Sequence, residues 1–206
     1  MMQAAAVAPR LEPRLSFDHV VQLRNVTWAD YQRFLEIRGE HSVPRLTFIE
    51  GVLEIMTPSR MHESIKSTLG CLVEAWCMEK GVDITPYGSW TLESKEHERG
   101  AEPDECYVIG DVPEPERCDI AIEVVWSSGG LDKLDVYRKL GVREVWVWKE
   151  GAPNVFSLRR DRYVPIDRSE LLPKLDLQQL LAFVEVRPMT RAVREYRVAL
   201  SGGADR

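Results

Sequence analysis

Long apolar runs are missing from this 206-residue chain. No stretch approaches the ~18 residues of a membrane-spanning helix, which argues against a membrane partner. Excess positive charge is missing too: 27 Lys and Arg stand against 33 Asp and Glu, for a net charge of −6. A bulk electrostatic binder of nucleic acid shows a basic face. The charge balance therefore argues against strong nonspecific affinity, but not against an enzyme that meets DNA through a local patch beside acidic metal ligands. Paired cysteine motifs are absent. Cys71, Cys77, Cys106 and Cys118 form no C-x-x-C, and the first two fall within a predicted helix. That excludes zinc ligation and a disulfide framework, and leaves the reduced thiols of a cytoplasmic protein. The N-terminus has neither the basic start nor the sustained apolar core of a secretory signal. Residues 1–24 read as a disordered leader. Repeats and long linkers are also lacking, which leaves one domain over 25–186 and then a C-terminal helix and flexible tail over 187–206.

What is present is one acid in the wrong company. Asp119-Ile-Ala-Ile-Glu-Val-Val-Trp126 reads as a strand with apolar residues on both faces, and Glu123 lies inside it. Such a strand is covered on two sides. A carboxylate there is costly to ionise without a cation, a donor or a metal. Lys133 follows on a segment of helical spacing, and it points the same way as Val136, Tyr137 and Leu140. The buried acid and the inward-facing lysine are expected to look into one space.

The remaining pattern places these residues. Thr27-Trp-Ala-Asp30 opens a helix to about Arg38 with a capping start. Two strands, 45–50 and 52–56, flank a tight turn at Glu50-Gly51. Ser59 caps a helix to about Lys80, with Ile65, Leu69, Leu72, Val73 and Trp76 at core spacing, and Gly81 stops it. Residues 93–102 are polar and read as an exposed loop or hairpin tip. Pro103-Asp104 introduces a strand to Ile109. The Lys133 helix ends at Gly141, and Glu144–Trp148 is a further strand that could close a βαβ crossover with the Glu123 strand. Strands near 154–159 and 162–166, a short helix from Asp176, and a basic helix near 190–199 complete the order. Helices and strands in this order make a mixed α/β layer, a twisted sheet flanked by helices.

Asp104, Glu123 and Lys133 therefore occur in order on strand, strand and helix. Two carboxylates on neighbouring strands can share a Mg2+, a hard cation that takes oxygen ligands and keeps waters. A nearby lysine can orient a metal-bound water and stabilise charge on a phosphorane-like state. Taken singly, Pro-Asp is a common turn dipeptide, a strand Glu is often exposed, and a helix Lys often snorkels past apolar neighbours.

These residues also carry a likeness. Ile49-Glu-Gly51, Met56-Thr-Pro-Ser59 with His62-Glu63, Glu102-Pro-Asp104, Glu123-Val-Val125, Lys133-x-x-x-Tyr137-x-x-x-Gly141-Val142 and Glu144-Val-Trp146 occur in this order. Over about Trp28 to Val184 the chain resembles the Uma-type (Uma-two) family of nuclease-like proteins, in the restriction-endonuclease-like PD-(D/E)xK superfamily. The resemblance implies a restriction-endonuclease-like core, with the superfamily lysine moved from the strand to the next helix. It implies an endonuclease that uses Mg2+, with Mn2+ as substitute. Asp104 and Glu123 would be metal ligands, and Asp104, Glu123, Lys133 and His62 the catalytic set. The partner implied is nucleic acid, DNA first, and the fold's habit of pairing implies a homodimer. A nuclease-fold binding module without catalysis, or a metal-dependent phosphoesterase acting on RNA or a small substrate, are the alternatives. Two positions depart from the family pattern: Gly129 stands where members often have Asp, and Val125 where other members of the superfamily place lysine.

His62 points nearly along the core stripe of its helix. It is either a core-edge histidine satisfied by backbone or, as the resemblance implies, a site-lining residue that binds phosphate or orients water. Glu63 is a first-turn acid favoured by the helix dipole, Glu50 a hairpin-turn acid, and Tyr137 shares the Lys133 face. All three are candidate accessories. Trp146 and Trp148 read as core or interface.

Overall fold

Eleven strands and five helices alternate in the computed structural model, which describes residues 17–125, 130–149 and 151–202. The first half holds β1 (His19–Arg24), α1 (Trp28–Arg38), β2 (Arg45–Ile49), β3 (Val52–Thr57) and α2 (Arg60–Lys80). Short strands β4 (Ile84–Pro86), β5 (Leu92–Ser94) and β6 (Arg99–Ala101) follow. The second half is β7 (Glu105–Ile109), β8 (Ile120–Val125), α3 (Lys133–Leu140), β9 (Glu144–Lys149), β10 (Ala152–Arg159) and β11 (Arg162–Ile166). Two helices, α4 (Leu177–Leu181) and α5 (Met189–Ser201), close the order.

Local chemistry sets the boundaries. Thr27 accepts the Asp30 N–H while Asp30 accepts the Thr27 N–H, a complete capping box for α1. Ser59 accepts the His62 N–H and starts α2, and Gly81 ends it in the left-handed conformation, φ 63°. The β2–β3 turn has positive φ at both Glu50 and Gly51, as a two-residue hairpin turn requires.

Two sheets result. The mixed sheet runs β11-β10-β9-β8-β7-β4, and β8 with β9 is its parallel pair, joined through α3 in a βαβ crossover. The second sheet, β1-β3-β2-β6-β5, is antiparallel throughout. Period-2 alternation sorts β8. Ile120, Ile122 and Val124 pack with Ile65, Leu69, Leu72 and Trp76 of α2, while Ala121 packs with Val136 and Tyr137 of α3. Trp146 and Trp148 are buried in the α2-side core, so both belong to the core. A third cluster joins Tyr31, Leu46, Phe48 and Leu53 between α1 and the antiparallel sheet.

Three expectations need correction. The segment read as a leader contains β1, because His19–Arg24 pairs residue for residue with Thr57–Val52. Residues 1–16 lie outside the described residues. Of the two readings of the polar run 93–102, the hairpin holds, with residues 95–98 exposed at its tip, and only the buried base departs from expectation. The run folds as the β5–β6 hairpin, and Arg99 and Glu102 are buried because each charge meets partners. Residues 187–206 do not stand apart from the domain. The α5 residues Ala192, Tyr196 and Leu200, spaced by four, form an apolar stripe, and two of them join the α2-side core. The tail after Gly202 lies outside the described residues, as does Gly129 with most of the Ser127–Gly130 loop. No helix among the described residues is long and apolar enough to cross a membrane.

Candidate active site

Backbone hydrogen bonds bring Asp104 beside the strand that carries Glu123. Glu105 stands opposite Ile122 in the antiparallel β7–β8 pair. Asp104 lies in the bend just before β7, and its N–H donates to the Ile122 carbonyl of β8 at 3.1 Å. Both acids are buried, Asp104 at 0% and Glu123 at 2% exposure.

Each acid is compensated, and by different means. Glu123 Oε2 accepts from Lys133 Nζ at 2.5 Å, and its Oε1 accepts from the Tyr137 hydroxyl. The lysine reaches it because Asp132 caps α3, taking the Leu134 and Asp135 N–H groups and setting Lys133 as the first helical residue. Burial, then the Glu123 charge and hydrogen bond, push the Tyr137 phenol well above its ordinary pKa, so it remains a donor. Asp104 Oδ2 accepts the Val124 N–H at 2.6 Å. Its Oδ1 lies against the Arg45 guanidinium and 2.9 Å from His62 Nε2, yet makes no hydrogen bond of good geometry.

A cleft of about 310 Å³ opens on this side of the mixed sheet. Asp18, Glu54, Glu123, Asp132, Lys133 and Lys149 are its charged lining: four carboxylates against two ammoniums. A larger depression of about 760 Å³ lies elsewhere, among β10, the 165–168 segment and the start of α4, and holds none of the predicted residues. The chemistry belongs to the smaller cleft, where the buried acid and its lysine are.

The other sequence candidates fall in different places. His62 is fully buried and does not line the cleft. Nor is it satisfied by backbone, since its ring lies between Asp18 Oδ2 and Asp104 Oδ1, each 2.9 Å away. Glu63 bonds Arg45 at 2.8 Å and thus touches the Asp104 cluster from outside. Glu50 is set apart: it is mostly exposed and pairs with Arg99, which also holds Asp135 of α3. Glu102, in the same motif as Asp104, is taken up by Arg38, Thr91 and the Leu46 N–H, so it shapes the turn.

Three residues of the site escaped sequence reasoning. Glu54 is a buried acid inside Val52-Leu-Glu-Ile-Met56, the same signal that singles out Glu123, and could have been found by it. Arg45 begins β2 and carries no such mark. Asp18 lies in the segment read as irregular.

With this geometry in view, the comparisons with known proteins can be placed. The Uma2 family, described as "Putative restriction endonuclease", matches residues 28–190. The chain belongs to the Uma2 family. No curated protein matches it in sequence. A solved structure described as a putative nuclease belonging to DUF820, from Anabaena variabilis ATCC 29413, is 14% identical with a TM-score of 0.45. That likeness covers 79% of this chain and 96% of the other. Membership in Uma2 supports a nuclease-type hydrolase that meets nucleic acid.

Whether the Uma2 site suits a metal is a question of donors. Among the described residues no three His, Cys, Asp or Glu side chains gather to hold a metal by themselves. Mg2+ does not need three, since it usually keeps waters and takes one or two carboxylates. Asp104 and Glu123 supply oxygen donors only. Their oxygens already face Arg45, His62, Lys133 and Tyr137, so a bound Mg2+ would share these carboxylates with the side chains that hold them.

Proposed function

We propose that this chain is a metal-dependent endonuclease that hydrolyses phosphodiester bonds of DNA. Asp104 and Glu123 would hold Mg2+, with Mn2+ as substitute, and Lys133 would serve the scissile phosphate. The observation that carries this reading is the Lys133–Glu123 contact of 2.5 Å, with Asp104 tied to the same strand through the Val124 N–H. When bound, the metal supplies a more acidic water and a Lewis acid at the phosphate.

The chain's own residues do the rest. Tyr137 and Lys133 fix both oxygens of Glu123, so that carboxylate cannot rotate away. Lys133 has three N–H donors, and one goes to Glu123. The side chain is 21% exposed toward the cleft, which leaves the ammonium placed to meet charge building on phosphate oxygens. Arg45 and His62 lie against Oδ1 of the buried Asp104 and hold that carboxylate in place. The acid excess of the cleft opposes a bare polyanion, which favours the cation-dependent reading.

The test is cleavage of supercoiled plasmid, DNA oligonucleotides and RNA oligonucleotides in Mg2+, in EDTA, and with Asp104→Ala. DNA cleavage that needs Mg2+ and is abolished by Asp104→Ala is expected. Cleavage that survives EDTA or that substitution would refute the site, and a chain inert on all substrates would be a binding module. The homodimer belongs to the same proposal; a monomer mass by light scattering at micromolar concentration would remove it. A cytoplasmic setting agrees with the four free cysteines.

A further inference from the structure

We propose that β1, together with the residue just before it, is a positioning element of the site: Asp18 orients His62 against Asp104, and Gln22 holds Glu54 against the segment leading to Lys133. Both residues precede residue 28, where the family match begins. This inference rests on the site proposed above.

Asp18 is nearly enclosed, its side chain 5% exposed. Its Oδ1 accepts the Ser59 N–H at 2.7 Å, at the cap of α2. Its Oδ2 faces His62 Nδ1 at 2.9 Å, and the opposite ring nitrogen faces Asp104. One carboxylate thus fixes the ring plane, and the ring meets the other. A carboxylate behind an imidazole is a common device for setting tautomer and orientation. Burial alone would raise the Asp18 carboxyl. The His62 ring hydrogen bond and the Ser59 N–H outweigh it and leave Asp18 below its ordinary value.

The second limb runs from the same strand. Gln22 stands opposite Glu54 in the β1–β3 register, and its Nε2 donates to Glu54 Oε2 at 3.0 Å. The same oxygen accepts the Leu131 N–H at 2.9 Å, two residues before Lys133. Gly130 lies beside the same carboxylate, where a Cβ would sit 3.4 Å from both Glu54 oxygens, at van der Waals contact. Asp18, just before β1, and Gln22 within it therefore reach Asp104 through His62 and the segment leading to Lys133 through Glu54. By contrast Val21 of that strand is 55% exposed.

The experiment uses the full chain with Asp18→Asn and Gln22→Ala, and Val21→Ala as the strand control. Single-turnover cleavage in Mg2+ and substrate KM are measured below the melting temperature of every variant. Imidazole 15N resonances are recorded in parallel, with His62 assigned through His62→Gln. Asp18→Asn should lower the cleavage rate about 10-fold or more with little change in KM, as for the loss of an orienting partner behind a site residue. It should also move the His62 ring resonances. Gln22→Ala should lower the rate without moving them, and Val21→Ala should do neither. Unmoved His62 resonances in Asp18→Asn would overturn the proposal whatever the rate does. So would an Asp18→Asn or Gln22→Ala rate equal to wild type in a protein that cleaves. If wild type cleaves nothing, the nuclease reading fails, while the His62 response still decides the Asp18 arm.

Discussion

Lys133→Met removes an ammonium and keeps most of its apolar stem. In the folded protein that ammonium lies 2.5 Å from Glu123, which is 3% exposed, while the lysine is 21% exposed. Breaking a fully buried pair costs about 3–5 kcal/mol, because one charge is left uncompensated. Here Tyr137 still donates to Glu123, and the open side of the cleft admits water, so a loss of about 1–3 kcal/mol of stability is expected. The catalytic effect should be larger. A preorganised donor at developing charge contributes roughly 10²–10³-fold, about 2.7–4 kcal/mol. The assay is single-turnover plasmid cleavage in Mg2+ at a temperature where circular dichroism shows both proteins folded. Lys139→Met is the control, since Lys139 is exposed on the same helix. Equal rates for wild type and Lys133→Met, in an assay where Asp104→Ala is inactive, would show that this lysine takes no part in the chemistry.

Three further outcomes follow from the packing. Tyr137→Phe leaves one oxygen of buried Glu123 without its donor and should destabilise the fold by about 1–3 kcal/mol in urea melts; an unchanged midpoint would mean the phenol contact is not formed in solution. Glu144→Ala strands the Trp146 indole N–H, the Ser169 hydroxyl and the N–H groups of Glu170 and Leu171, so a loss of about 3 kcal/mol or more is expected. Its cleavage rate per folded molecule should stay at wild type, because none of these groups lines the cleft. Asp18, with its pKa below the ordinary 3.8, contributes stability that is present above that value and lost as pH falls through its folded value. Melting temperatures measured from pH 5 down to about 2.5 should fall less steeply in Asp18→Asn; the same slope in both proteins would refute the assignment.

Much of the architecture was legible because it is local. Apolar spacing and caps placed α1, α2 and α3 to within a residue or two, since Thr27, Ser59, Gly81 and Gly141 act on neighbouring backbone groups. The Glu50-Gly51 turn placed β2 and β3, a two-faced apolar run placed β8, the Val and Trp alternation fitted β9, and the face of α3 that carries Lys133 followed from the period of the helix.

What the sequence could not reveal was long-range. Strand β1 is mostly exposed and has little apolar pattern of its own; it is a strand because β3 offers it a ladder. A buried charge looks like an exposed one until its partner is known, which is why Arg99 and Glu102 read as exposed and Arg45 carried no mark. His62 shows the limit most clearly. Its helical phase pointed it inward, but only the tertiary fold, by bringing Asp18 and Asp104 from 44 and 42 residues away in sequence, decided that its ring would lie between two carboxylates.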